Sequence, residues 1–109
     1  MNAWILLGLA IVCEVAGTVC MKLSDGFTKL VPSAFLFILY GIAFTLLTLA
    51  LKKIDLGTAY AIWAGAGTAL VAVIGFWVFK DTFSIWKVSC ILLIIIGVVG
   101  LKMAPSAQV

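Results

Sequence analysis

The sequence predicts an all-α membrane protein, a single domain in which four helices cross the bilayer. Three observations carry that prediction. Apolar residues make up 66% of the chain and charged residues 10%, against about 25% charged in soluble domains, so a water-facing shell cannot be built from it. The apolar residues fall into four runs, each with roughly the 20 residues that cross a hydrocarbon core as a helix. Lipid offers the backbone no hydrogen-bond partner, so runs of this length must satisfy themselves as helices.

Each span has a start and a stop. Span one covers 3–21 and is closed by Lys22-Leu-Ser-Asp-Gly26, a charged stretch ending in a turn glycine. Span two covers 32–51, with Pro32 suited to a first helical turn. Lys52-Lys-Ile-Asp-Leu-Gly57 separates it from span three, at 58–79. Lys80-Asp-Thr then leads to span four at 84–103, with Thr82 or Ser84 available as a cap and Pro105 beyond its end. The 109 residues suffice for one domain and not for two, so 1–109 reads as one four-helix protomer. Loops this short force neighbouring helices to run antiparallel. Span one is too long for a cleaved leader, and it carries Glu14.

An even number of spans puts both termini and the central loop on one side of the membrane. Lys52, Lys53 and Lys102 lie there, against Lys22, Lys29, Lys80 and Lys87 on the other. Basic residues set orientation by their bias, and this bias is close to nil. Two readings stay open: insertion in both orientations, with pairing as an antiparallel dimer, or one orientation set by finer detail or a partner chain. The net charge of +3 is scattered over short loops, so no patch fits nucleic acid. Cys13, Cys20 and Cys90 lie inside apolar runs and no His accompanies them, so they read as packed thiols. No nucleophilic triad, metal set or phosphate loop is present, and the chain does not read as an enzyme.

One residue resists the apolar pattern. In LAIVCEVAGTVCMK, Glu14 has no charged neighbour within seven positions on either side and lies near the middle of its span. Its side chain is too short to reach the membrane surface from there. Helical spacing puts Leu7, Ala10, Ile11, Gly17, Thr18 and Met21 on its face. The small residues among them allow a ligand or another helix close approach. A carboxyl group in a medium of low dielectric takes up a proton more readily than in water. It can then give that proton up when a cation arrives. Two copies of Glu14 in one dimeric site would titrate as a coupled pair. The alternative is a protonated Glu that only holds helices together.

Span three supplies aromatic rings. In TAYAIWAGAG, Tyr60 and Trp63 are three apart and expected on one face. Aromatic faces attract cations, and a tyrosine hydroxyl can also bond a carboxylate. Tyr40 in span two is a further candidate, whereas Trp4, Trp77 and Trp86 suit a membrane-interface belt. Gly65 and Gly67 permit a bend or close packing. Span four holds little polar chemistry; its Leu/Ile run and Gly97 read as a helix-pairing surface.

From WILLGLAIVCEVAGTVCMKLSDGF through GTAYAIWAGAG to the glycine of IIIGVVG, the chain resembles the small multidrug resistance transporters. That resemblance implies an antiparallel homodimer in a bacterial cytoplasmic membrane, driven by the proton gradient without a cofactor. It implies alternating access around one central site where protons and a lipophilic organic cation compete. Carried onto this chain, Glu14 is the shared site, with Tyr60 and Trp63 lining it and Tyr60 bonded to a Glu14. Gly65 and Gly67 match a helix bend, and Gly97 a dimer contact. Gly17-Thr18, Met21 and Tyr40 are similar to the quaternary-ammonium exporters of the family. Its guanidinium exporters usually carry a Trp where this chain has Ala16 or Gly17. Trp4, Ala43, Cys90 and the ending GLKM depart from the multidrug pattern. Guanidinium or a small polyamine is thus the alternative cargo, and a non-transporting accessory subunit the alternative class.

Overall fold

The computed structural model of the protein describes residues 2–103, so the expected stop at Pro105 lies outside the described residues. Four helices account for almost all of them: α1 (Ala3–Leu23), α2 (Leu30–Ala50), α3 (Leu56–Val78) and α4 (Ile85–Met103). No strand occurs among the described residues. Every helix is long and apolar enough to cross a membrane.

The ends follow from capping chemistry. Asn2 caps α1 by accepting from the Trp4 amide at 2.8 Å. Asp55 caps α3 by accepting from Thr58 N at 3.1 Å. Of the two expected caps for α4, Ser84 is the one used: its Oγ accepts from Lys87 N at 3.1 Å. Thr82 instead offers its carbonyl to Lys87 Nζ at 2.7 Å. Span two starts at Leu30 rather than Pro32. The first four N–H groups of a helix lack partners in any case, so proline costs nothing at its third position. α1 runs two residues past Met21, because Lys22 and Leu23 still complete its last turn before Ser24 caps it.

The chain divides into two compact units, 2–54 and 55–103 within the described range. The first is the hairpin of α1 and α2. Its core is made by Leu7, Ala10, Ile11 and Val15 from α1 and Leu36, Ala43, Leu47 and Ala50 from α2. Lipid removes most of the hydrophobic drive between membrane helices, so close van der Waals contact must hold them together. Alanines at 10, 43 and 50, each with no exposed surface, permit that approach. The connection turns on Ser24, which is 1% exposed. Its Oγ donates to Met21 O at 2.7 Å and accepts from Phe27 N at 3.1 Å. Its carbonyl accepts from Thr28 N and Lys29 N at 2.9 and 3.1 Å. Asp25, Gly26 and Phe27 all take positive φ, at 50°, 70° and 67°. The ring of Phe27 stacks on Phe37 of α2, centroids 6.2 Å apart.

The second unit is the hairpin of α3 and α4. Gly65 faces Ile94 and Val98 of α4, and Phe76 packs on Phe83 with centroids 4.3 Å apart. No residue of α4 is buried. Ile85 and Trp86 are 85% and 81% exposed and Leu30 of α2 is 82%, apolar surface on a scale that water does not tolerate and lipid does.

Candidate functional site

The buried residues of α1 are Leu7, Ala10, Ile11, Val15 and Gly17. At about 3.6 residues per turn, Glu14 falls within the arc they define. The face assigned to Glu14 from spacing is therefore the packed face of the helix. Val15 joins it. Met21, expected on the same side, is exposed, because α1 is by then entering its last turn. Glu14 and Thr18 themselves are half-buried.

Thr18 stands one turn beyond Glu14 and touches it twice. Thr18 Oγ1 lies 3.0 Å from Glu14 Oε1 and 3.0 Å from the Glu14 carbonyl oxygen. The same oxygen is 2.8 Å from Tyr40 Oη on α2. A hydroxyl has one proton to donate and two lone pairs to accept with. Thr18 thus joins a carboxyl group on one helix to a phenol on the next.

Tyr40 reaches this position because residue 17 has no side chain. A Cβ there would lie 2.6 Å from both Cδ1 and Cε1 of the Tyr40 ring. Gly17 is a notch that the ring fills. Phe44 meets the ring edge-on, centroids 6.1 Å apart at 69°. Spacing alone grouped Gly17 and Thr18 as lining residues of α1 and Tyr40 as a candidate from span two. The bond between Thr18 and Tyr40 was not legible, because the register of two antiparallel helices depends on how their surfaces interlock.

Tyr60 and Trp63 belong to the α3–α4 hairpin. Trp63 is buried at 7% exposure on a face with Ala59, Ile62 and Gly67, whereas the buried Gly75 is covered by Asp81. Tyr60 is 60% exposed, so the two rings do not share one environment. Three residues fall short of a full turn, and such a pair can straddle the edge of a helix face. α3 continues as one helix through Gly65 and Gly67. A Cβ on Gly65 would run into Val98 Cγ2 and lie 3.2 Å from Ile94 Cγ2, so this glycine permits close packing. A Cβ on Gly97 would meet nothing within 4 Å, which leaves that glycine open on α4. Cys13 and Cys20 are half-buried, whereas Cys90, on a helix with no buried residue, is exposed.

Among the described residues, no group of three or more His, Cys, Asp or Glu is placed to hold a metal. The arrangement can accept one proton at Glu14 or set its negative charge against a cation.

Comparison with known proteins agrees with this reading at the level of family. The family described as Small Multidrug Resistance protein matches residues 2–94. An uncharacterized membrane protein of Bacillus subtilis, YvaE, is 54% identical over 97% of this chain and 89% of its own length. Multidrug resistance protein EbrB of the same species is 46% identical over 97% of this chain and 91% of its own. Quaternary ammonium compound-resistance protein QacE of Escherichia coli is 43% identical, covering 99% of this chain and 98% of its own. A match this complete leaves one conclusion: this multi-pass membrane chain belongs to the small multidrug resistance family.

Proposed function

We propose that the protein is a proton-coupled antiporter that expels lipophilic and quaternary ammonium cations from the bacterial cytoplasm. The observation that carries this is Glu14, a half-buried carboxyl group inside an apolar helix, with a hydroxyl as its bonded neighbour. Ionisable groups at membrane depth are costly and mark ion or substrate pathways. The carboxylate can neutralise one proton or face one cation, and in a low-dielectric setting it does not serve both. Protons displace the cation on the acidic side, and the cation displaces protons inside. The protein performs no covalent chemistry in this scheme and needs no cofactor.

The names of EbrB and QacE associate those relatives with multidrug and quaternary ammonium resistance, which favours bulky apolar cations over guanidinium. The absence of a Trp at Ala16 and Gly17 agrees. Tyr40 would supply an aromatic face to such a cargo beside Gly17 and Thr18, and Tyr60 and Trp63 are the aromatic candidates on the other hairpin. A second copy inserted in the opposite orientation would cover the bare α4 and bring a second Glu14, which suits the near-balanced lysines. Alternating access would then be an exchange of conformations between the two protomers.

The test is proton release. Detergent-solubilised native protein and Glu14→Gln receive tetraphenylphosphonium, then guanidinium, in weakly buffered solution. Release from the native protein with tetraphenylphosphonium, and none from Glu14→Gln, is the expected result. Release with guanidinium alone would reassign the cargo. Silence with both would leave Glu14 a structural acid.

A further inference from the structure

We propose that Thr18 is a hydroxyl switch that reports the loading of Glu14 to Tyr40, and that Gly17 is the positioning residue that seats the receiver. The inference rests on the reading of Glu14 as the exchanging group and gives three further residues defined tasks.

The argument is a count of protons. Thr18 Oγ1 is 3.0 Å from Glu14 Oε1, 3.0 Å from the Glu14 carbonyl oxygen and 2.8 Å from Tyr40 Oη, and it owns one hydrogen. An ionised carboxylate only accepts. With Glu14 charged, the Thr18 proton turns to Glu14, and the Thr18–Tyr40 bond must then be made by the Tyr40 proton. The lone pairs of Tyr40 are left facing away from Thr18, in a polarity that favours a cation. A protonated Glu14 can donate to Thr18 Oγ1 instead. The Thr18 proton then has Tyr40 Oη and the Glu14 carbonyl oxygen as acceptors; that carbonyl already accepts the helical amide bond of α1, so the proton goes to Tyr40 Oη, and the Tyr40 O–H swings outward as a donor. No proton passes along the chain; two hydroxyls rotate. The outcome is that Tyr40 presents negative polarity when the site is ready for a cation and positive polarity when it holds a proton. The switch sharpens the exclusion between the two cargoes and carries it from α1 to α2.

The surroundings keep this signal clean. No charged residue of α1 lies within seven positions of Glu14; the thiols of Cys13 and Cys20 are the nearest titratable groups on that helix. On α2, packed against α1, Tyr40 is the titratable side chain that reaches Thr18, while Lys29 and Lys52 flank the helix ends. Tyr40 holds its place only because Gly17 leaves room for the ring.

Infrared difference spectra between acid and alkaline pH test the idea on full-length protein reconstituted in lipid vesicles with isotope-labelled tyrosine. The chain has two tyrosines, and Tyr40→Phe and Tyr60→Phe assign their bands. In the native protein the Tyr40 C–O band should shift in step with the protonated-carboxyl band of Glu14. Thr18→Val keeps the shape but not the hydroxyl, and should leave the carboxyl band titrating while the Tyr40 band stays still. Thr18→Ser should restore the coupling, and Gly17→Ala should abolish it. Thr18→Val should weaken tetraphenylphosphonium binding severalfold, and Thr18→Ser should restore it. A Tyr40 band that ignores Glu14 in the native protein, or still follows it in Thr18→Val, overturns the proposal. The native spectra decide even if a variant fails to fold. If the cation releases protons but the Tyr40 band is indifferent, the switch fails and the antiporter reading stands. If Tyr40 follows Glu14 but the cation releases no protons, the antiporter reading fails instead.

Discussion

Gly65 of α3 and Val98 of α4 sit so close that a methyl group added at position 65 overlaps Val98 Cγ2. Valine is stiff at χ1, and Ile94 Cγ2 stands 3.2 Å from the same point, so neither neighbour can simply swing aside. Gly65→Ala should therefore force α3 and α4 apart, at a cost of about 1–3 kcal/mol. Denaturant unfolding in detergent measures it. A variant as stable as the native protein would mean that the two helices do not pack at this glycine.

Gly97 offers the opposite case on α4. Nothing lies within 4 Å of a Cβ built there, so Gly97→Ala should not destabilise the α3–α4 hairpin. A second copy seated on α4 at that glycine would feel the added methyl. Dimer affinity, measured by energy transfer between labelled protomers in vesicles, should fall about tenfold, equivalent to the lower end of an overpacking cost. Unchanged affinity would remove Gly97 from the dimer contact.

The connection between α1 and α2 depends on a hydroxyl. Ser24→Ala removes the acceptor of Phe27 N and the donor to Met21 O in a side chain that is 1% exposed. A loss of about 1–3 kcal/mol is expected, the cost of leaving a buried polar group unsatisfied. Gly26→Ala, at a φ of 70°, should cost about 1 kcal/mol although the space around it is open. Both are read from unfolding midpoints, and an effect confined to Gly26→Ala would assign the turn to backbone strain alone.

Asp55 links the start of α3 to pH. Its carboxyl is held below the ordinary value of 3.8, first by the hydrogen bond from the Thr58 side chain and then by that from the Thr58 amide. A depressed folded value means that the cap contributes in full above 3.8 and is lost as pH falls through the lower, folded value. The amide proton shift of Thr58 should follow that titration in detergent-solubilised protein, with a midpoint below 3.8. Asp55→Asn, which caps without titrating, should flatten the curve. A midpoint at or above the ordinary value would contradict the hydrogen bonds from Thr58 to Asp55.

Four helices, their approximate ends and the place of Glu14 on the packed face of α1 could all be read from the order of residues. Each depends on local quantities: run length against membrane thickness, the cost of a carboxyl group in oil, and the turn chemistry of Gly, Asp and Lys. The pairing of Thr18 with Tyr40, the notch at Gly17 and the seat of Val98 against Gly65 could not. They depend on the register at which two antiparallel surfaces interlock, and a sliding of one helix by a single turn, about 5.4 Å, would replace every such contact. The unequal exposure of Tyr60 and Trp63 has the same origin, since spacing says which residues are neighbours on a helix but not where its buried face ends. Composition committed this chain to the membrane; close packing between helices decided which phenol meets the hydroxyl beside its intramembrane acid.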